Sequence, residues 1–298
     1  MPSKRTVLIT GCSDGSLGSA LALAFHKAGW RVFASARNMA KLKNAVAAGI
    51  ETVQLDVGSD ESVAAAVAQV KELTGGSLDT LVNNAGAGYC LPLLDIDLEE
   101  ARNLFDLNVF SLLRVTRAFF PLLVKSKHGG LVVNNTSGFG FLTTATPFYG
   151  VYCASKAAAA SFTEVLRLEL EPFGIRVVNL VTGSVKSTFF DNAPKATLPP
   201  TSLYNAGKER IERAMSSEEQ EKIGSDPTKW AESVVRDLNG SKPPHLLFRG
   251  KNANLSRLVS ILPVGLLDSV MKQMSGLDVF EKNFKDHGGL EAIKASSL

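Results

Sequence analysis

Tyr152 and Lys156 stand four residues apart in the run Tyr152-Cys-Ala-Ser-Lys156, at the opening of a stretch with helical periodicity. That spacing puts the phenol and the ammonium on one helical face. A fixed cation beside a phenol favours phenolate, so the pair predicts a tyrosine tuned to give or take a proton near neutral pH. Ser137, in the loop after a β-branched run at 131–135, offers a hydroxyl that can bond a carbonyl oxygen beside that phenol. Taken alone, a Tyr/Lys helical pair reads far more readily as an exposed surface pair. Tyr149 lacks a lysine four residues on and reads as pocket wall, and Cys153 reads as a small filler on the inner side of the helix.

A second cluster lies near the start. Val7-Leu-Ile-Thr10-Gly11-Cys12-Ser13-Asp14-Gly15-Ser16-Leu17-Gly18 runs from a strand into a helix, where a glycine-rich turn lets backbone N–H groups approach a pyrophosphate. The second strand ends in Ser35-Ala36-Arg37-Asn38, with no acidic residue to accept a ribose hydroxyl and a cation where a 2′-phosphate would lie. This favours NADP over NAD, the alternative being a solvated arginine. Asp56-Val57 can bond an adenine amino group, and Asn83-Asn84-Ala85-Gly86 ends the fourth strand; each alone is also ordinary turn chemistry.

Positioning these residues requires an alternating α/β chain. Thr6–Thr10, Arg31–Ala36, Thr52–Asp56, Thr80–Asn83, Leu131–Asn135 and Arg176–Val181 read as strands. Between them, Ser19–Ala28, Ser62–Leu73, Glu99–Lys125 and Tyr152–Pro172 read as helices, with Gly29, Gly75, Gly129 and Gly174 suited to their C-caps. The pattern predicts an α/β Rossmann-type, doubly wound parallel sheet in a single domain. Residues 1–241 form the dinucleotide-binding and catalytic part, with a substrate loop at about 184–225 and a helix near Thr228–Leu238. Residues 242–298 form an apolar helical C-terminal extension of the same domain, broken near Pro263.

Five ordered motifs at the predicted strand ends resemble the single-domain branch of the short-chain dehydrogenase/reductase superfamily over residues 4–190. They are the glycine motif at Thr10–Gly18, Asp56, the Asn-Asn-Ala-Gly at 83–86, Ser137 within Asn134-Asn-Thr-Ser-Gly, and Tyr152 with Lys156; Asn108 matches the family's catalytic asparagine. The resemblance implies that Tyr152 exchanges a proton with the substrate oxygen as hydride moves, that Lys156 holds the nicotinamide ribose and supports Tyr152, that Ser137 orients the substrate and that Asn108 anchors a relay water. It places NADP against Gly11, Ser13, Asp14, Ser16, Leu17, Arg37, Asp56, Val57, Asn84, Lys156 and Val185. The chain departs from the family pattern in three places. Its glycine turn is one residue longer and carries Ser16 where a glycine is usual. Thr182-Gly183 replaces Pro-Gly. A longer loop with Phe139, Phe141 and Phe148 separates Ser137 from Tyr152. Neither the turn nor the length suits the larger two-lobed branch, which excludes an epimerase or dehydratase.

Within the superfamily, the extended turn, the run Tyr149–Lys156 and the tail from Phe248 resemble a fungal subgroup of NADPH-dependent 1-acyldihydroxyacetone-phosphate reductases, whose members include oxidoreductases that tailor secondary metabolites. The resemblance implies a reducible ketone, or the matching secondary alcohol, on a lipid-like or otherwise apolar molecule. A catalytically silent NADP-binding sensor or scaffold is the alternative of another class.

Composition narrows the partners. A formal charge of +3 over 298 residues, with no basic cluster, excludes nucleic acid. Three distant cysteines indicate neither a disulfide framework nor a metal site, and fit a reducing compartment. With no signal peptide or membrane-spanning run, the expected location is the cytoplasmic side. The tail's apolar stripe (Leu255, Leu258, Val259, Leu262, Leu266, Val270 and Met274) has three open fates: peripheral contact with endoplasmic reticulum or lipid droplets, a dimer interface, or a lid on the substrate pocket. Lys195, Lys208, Arg210 and Arg213 read as a solvated face, or as contacts for a substrate phosphate. The family resemblance points to the helices at 99–125 and 152–172 for pairing in a homo-oligomer.

Overall fold

The computed structural model describes residues 4–141, 146–189, 196–216, 224–240 and 242–291. Seven strands make one sheet: β1 (Thr6–Ile9), β2 (Arg31–Ala36), β3 (Glu51–Gln54), β4 (Thr80–Asn83), β5 (Leu131–Asn135), β6 (Arg176–Thr182) and β7 (Leu246–Arg249). Their order is β3-β2-β1-β4-β5-β6-β7, and every pairing is parallel. The order reverses between β1 and β4. A crevice therefore opens at the carboxyl ends of these strands, where such sheets bind nucleotides.

The strands are Val/Leu-rich because both faces are covered. On one face, α1 (Leu17–Lys27) and α8 (Pro227–Leu238) bury Leu21, Phe25, Trp230 and Val234 against Ile9 and Val133. On the other, α3 (Asp60–Thr74) and α5 (Ser111–Leu123) bury Val63, Val70, Phe119 and Leu123 against Leu8 and Val132. The remaining α-helices among the described residues are α2 (Lys43–Ala47), α4 (Leu98–Phe105), α6 (Gly150–Leu170), α7 (Lys208–Met215), α9 (Ala253–Val259), α10 (Asp268–Ser275) and α11 (Leu277–Asp286). Asn83, Asn134 and Asn179 lie side by side in the register of β4, β5 and β6. Asn83 Nδ2 donates to Asn134 Oδ1 at 2.9 Å, and Thr136 Oγ1 to Asn179 Oδ1 at 2.6 Å. In a buried sheet this polar seam disfavours a slip of register, which would leave those groups unpaired.

Three features differ from expectation. Leu246–Arg249 joins the sheet as a seventh strand, although it falls in the segment read as helical extension; four residues are too few to carry a clear period. The helix read across Glu99–Lys125 is two α-helices joined by a π-helical turn, Asp106–Phe110. The short helix α2 was not anticipated, because its N-cap comes from Asp14, 29 residues upstream of Lys43.

The extension folds back on the domain. Ser256 of α9 lies against Gly138, where an added Cβ would approach Ser256 Oγ to 3.0 Å. Phe280 of α11 sits 5.1 Å from Tyr204, ring centroid to centroid, and Asn283 Nδ2 donates to Ala206 O at 2.7 Å. Arg210 donates to the carbonyls of Gln273 and Met274, Arg213 pairs with Glu209, and Lys208 with Glu212, so these three cations meet the chain itself; Lys195 lies outside the described residues. Among the described residues no helix is long and apolar enough to cross a membrane. Ile261 and Val264, between α9 and α10, are 76% and 81% exposed.

Candidate active site

The glycine turn is closed by Ser16, the residue that stands where the family pattern has a glycine. Gly11 and Gly15 take positive φ, 72° and 79°, which the tight turn requires and side chains resist. A Cβ at Gly18 would fall 2.4 Å from Gly11 O and 2.6 Å from Asn84 Nδ2, so only glycine lets α1 start here. Ser16 is the N-cap: its Oγ accepts from Ser19 N at 3.1 Å and donates to Gly11 O at 2.9 Å. Its carbonyl takes the Ala20 amide. The amides of Leu17 and Gly18 then stand at the open N-terminus of α1, the arrangement that suits a pyrophosphate.

Asp14 spends its carboxylate on capping α2, accepting from Lys43 N and Asn44 N at 3.0 Å each. Arg37 follows β2 and is exposed. Asp56 Oδ1 accepts from Gly58 N, and the Val57 carbonyl accepts from Arg114 at 2.9 Å. Asn84 Nδ2 donates to Thr10 O at 2.9 Å and Gly11 O at 3.2 Å. Val185 packs beside the core under β1 and α1.

Thr188 was not singled out from the sequence. Its N–H donates to Gly15 O at 3.2 Å, and its methyl lies 2.8 Å from where a Gly15 Cβ would be, so the loop after β6 closes over the turn. The only signal available was a hydroxyl six residues beyond Thr182.

The chemistry-bearing residues converge beyond that turn. Tyr152 and Lys156 sit on the first turns of α6, both buried, with the Lys156 Nζ 5.9 Å from the Tyr152 ring centroid. Tyr152 shares a hydrogen bond with Ser137, whose Oγ also accepts from Phe139 N at 3.2 Å. Asn108 lies on the π-helical turn; its Oδ1 accepts from Ala87 N, and its Nδ2 donates to Ala87 O and Ser155 Oγ, all at 3.0 Å. A Cβ at Gly86 would lie 2.9 Å from Asn108 Oδ1 and 3.5 Å from Lys156 Nζ. Asn108 and Lys156 thus meet across the bare backbone of Gly86. Single π-helical turns of this kind recur at functional sites.

Burial overturns one electrostatic expectation. The Tyr152 phenol is pushed up to about 12 by desolvation, against which its bond with Ser137 acts, and Lys156 is pushed down to about 8 by burial. Lys156 does not acidify Tyr152 here: at 5.9 Å from the ring, its attraction is smaller than the cost of a buried anion. The chain's own atoms therefore hold the phenol protonated.

Aromatic side chains wall this site. Phe139 stacks on Tyr149 at 5.4 Å and meets Tyr152 edge-on at 5.8 Å, while Phe189 meets Tyr152 at 5.9 Å from the loop after β6. Tyr89, Leu104 and Val151 bury against the same cluster. Tyr149 is thus packed into the aromatic cluster beside Tyr152. Phe189 was missed, although an aromatic in a polar loop is a visible anomaly.

A family model described as short chain dehydrogenase matches residues 5–197. A short-chain dehydrogenase/reductase of Pestalotiopsis microspora is 43% identical over 286 residues, covering 95% of this chain and 98% of that one. An NADPH-dependent 1-acyldihydroxyacetone phosphate reductase of Schizosaccharomyces pombe is 38% identical over 208 residues, 68% of this chain and 69% of that one. The crystal structure of a short-chain dehydrogenase from Streptomyces avermitilis superposes with a TM-score of 0.74 at 30% identity, covering 95% of this chain and 98% of that one. With its parallel sheet, glycine turn and Tyr152/Lys156 helix, the chain belongs to the short-chain dehydrogenase/reductase family of oxidoreductases.

Proposed function

We propose that the protein transfers hydride between NADP(H) and a ketone or secondary alcohol on a hydrophobic substrate, with Ser137, Tyr152, Lys156 and Asn108 as its catalytic residues. The convergence of Ser137 and Tyr152 on one hydrogen bond inside an aromatic wall carries this reading. The nucleotide-binding residues fit the cofactor: the α1 N-terminus receives its pyrophosphate, Thr188 borders that position, and Arg37 offers an exposed cation to a 2′-phosphate. By the family resemblance, Asp56, Val57, Asn84 and Val185 complete the cofactor site. When bound, the nicotinamide supplies or accepts the hydride.

The chain's own residues do the rest. Ser137 and Tyr152 together hold the substrate oxygen, and the protonated phenol passes its proton to that oxygen as the carbonyl is reduced. Lys156 and Asn108, both beside the Cβ position that Gly86 leaves open, form the route by which the phenol is reprotonated. The aromatic wall excludes water and selects apolar substrates. The S. pombe relative's name makes 1-acyldihydroxyacetone phosphate the first ketone to test, beside aromatic polyketide-like and steroid-like ketones.

Tyr152→Phe decides the matter. The variant is expected to lose NADPH oxidation by at least about a thousandfold while NADPH binding persists. Full turnover by this variant would exclude the phenol as the acid. Tight NADPH binding by the native chain with silence across the whole ketone panel would leave the sensor or scaffold reading instead.

A further inference from the structure

Asn135 ends β5 two residues before Ser137, and three parts of the site engage it. Its Nδ2 donates to Asn84 Oδ1 at 2.9 Å, its Oδ1 accepts from Thr182 Oγ1 at 2.6 Å, and its main-chain carbonyl accepts from Lys156 Nζ at 3.3 Å. Asn84 in turn holds the carbonyls of Thr10 and Gly11 through its Nδ2. A continuous chain of bonds thus runs from the opening of the glycine turn to the end of β6, with Lys156 suspended from its middle.

The polarity of this chain is fully determined. Asn84 Nδ2 faces two carbonyls and must donate, so Asn84 Oδ1 must accept and Asn135 must present its Nδ2. Asn135 Oδ1 is then left as an acceptor, and a donor at position 182 satisfies it. Thr182 supplies one, in a position where the resembling family's proline would carry no hydroxyl. Thr182 is itself buried, which shields its side of that bond from solvent.

We propose that Asn135 and Thr182 are paired positioning residues, which fix Lys156 and the glycine turn relative to one another so that one bound dinucleotide meets both. The inference rests on the NADP(H) reading above. It assigns the departure from Pro-Gly a purpose: the Thr182 hydroxyl completes a hydrogen-bond relay that Asn135 begins.

The test is NADPH binding, read by fluorescence titration, alongside ketone turnover. Thr182→Val keeps the branched shape and deletes only the donor. It is expected to weaken NADPH binding about tenfold and lower kcat by about tenfold, with KM for the ketone unchanged. Thr182→Ser keeps the hydroxyl and is expected to restore both quantities to within about twofold of the native values. In an Asn135→Leu background, Thr182→Val should add no further loss. Native NADPH affinity in Thr182→Val overturns the proposal, as does an equal loss in Thr182→Ser, which would make shape the cause. Asn135→Ser tests the same relay where Thr182→Val fails to fold, and native NADPH affinity there is equally fatal. A native chain that binds NADPH but reduces no ketone sinks the reductase reading and leaves the binding arm to judge this pair. Failure of the native chain to bind NADPH sinks both.

Discussion

Lys156 keeps its ammonium 5.9 Å from the centroid of the Tyr152 ring, inside a site that buries both side chains. Burial lowers the lysine to about 8 while its unfolded-state value is near 10.4. A depressed folded-state value means that stability present above the unfolded value is lost as pH falls through about 8. At neutral pH the charged lysine therefore costs the ligand-free fold something on the order of 3 kcal/mol. Lys156→Met should raise the melting temperature by several degrees at pH 6.5, and the gain should shrink toward pH 10.5. The same variant should lose most ketone reduction. Thermal melts at both pH values check the first statement, and a variant less stable than the native chain at pH 6.5 would refute it.

Much of this arrangement was legible in the sequence. β2, β4 and β5 match the residues read as strands, because β-branched runs bounded by glycine and polar turns leave little choice. Tyr152, Lys156, Ser137 and Asn108 were named from spacing and resemblance, and the fold brings them together. What was hidden depends on pairings across long separations. The resemblance set Asp14 against the dinucleotide and said nothing of its partners; its carboxylate caps a helix whose own preceding residue, Leu42, has no capping group. The Tyr152 phenol looked acidified, because spacing shows the neighbouring charge and not the desolvation that outweighs it.

The Asp14 finding is itself testable. Two backbone amides depend on one carboxylate, and Asp14 N donates to Lys41 O at 2.7 Å from the same turn. Asp14→Ala should destabilise the fold by roughly 1–2 kcal/mol, seen as a lower denaturant midpoint at unchanged slope. Asp14→Asn, which retains one acceptor, should recover part of the loss. No change in midpoint for the alanine variant would show that the cap is not needed.

The proposed preference for NADP(H) hangs on Arg37. Its guanidinium follows β2 at the surface, and Ser35 and Ala36 before it offer no carboxylate to a ribose. Arg37→Ala should raise KM for NADPH by roughly ten- to a hundredfold and leave KM for NADH nearly constant, since a charge-assisted bond to phosphate contributes about 1.5–3 kcal/mol. Parallel steady-state runs with both cofactors decide it. An equal effect on the two would remove the 2′-phosphate from this position.

The aromatic wall predicts how substrate size is read. Phe139 touches both Tyr149 and Tyr152, and it leads from the Ser137 loop toward the helix α9 that rests on Gly138. Truncating it removes apolar surface from the substrate side while leaving the Ser137–Tyr152 bond intact. Phe139→Ala should therefore lower kcat/KM for a bulky apolar ketone by about tenfold or more, and change a small ketone such as a short-chain acetyl compound by under about threefold. Phe189 approaches Tyr152 from the opposite loop, so Phe189→Ala should show the same size dependence. Equal losses for large and small ketones would mean that these rings hold Tyr152 in place rather than grip the substrate.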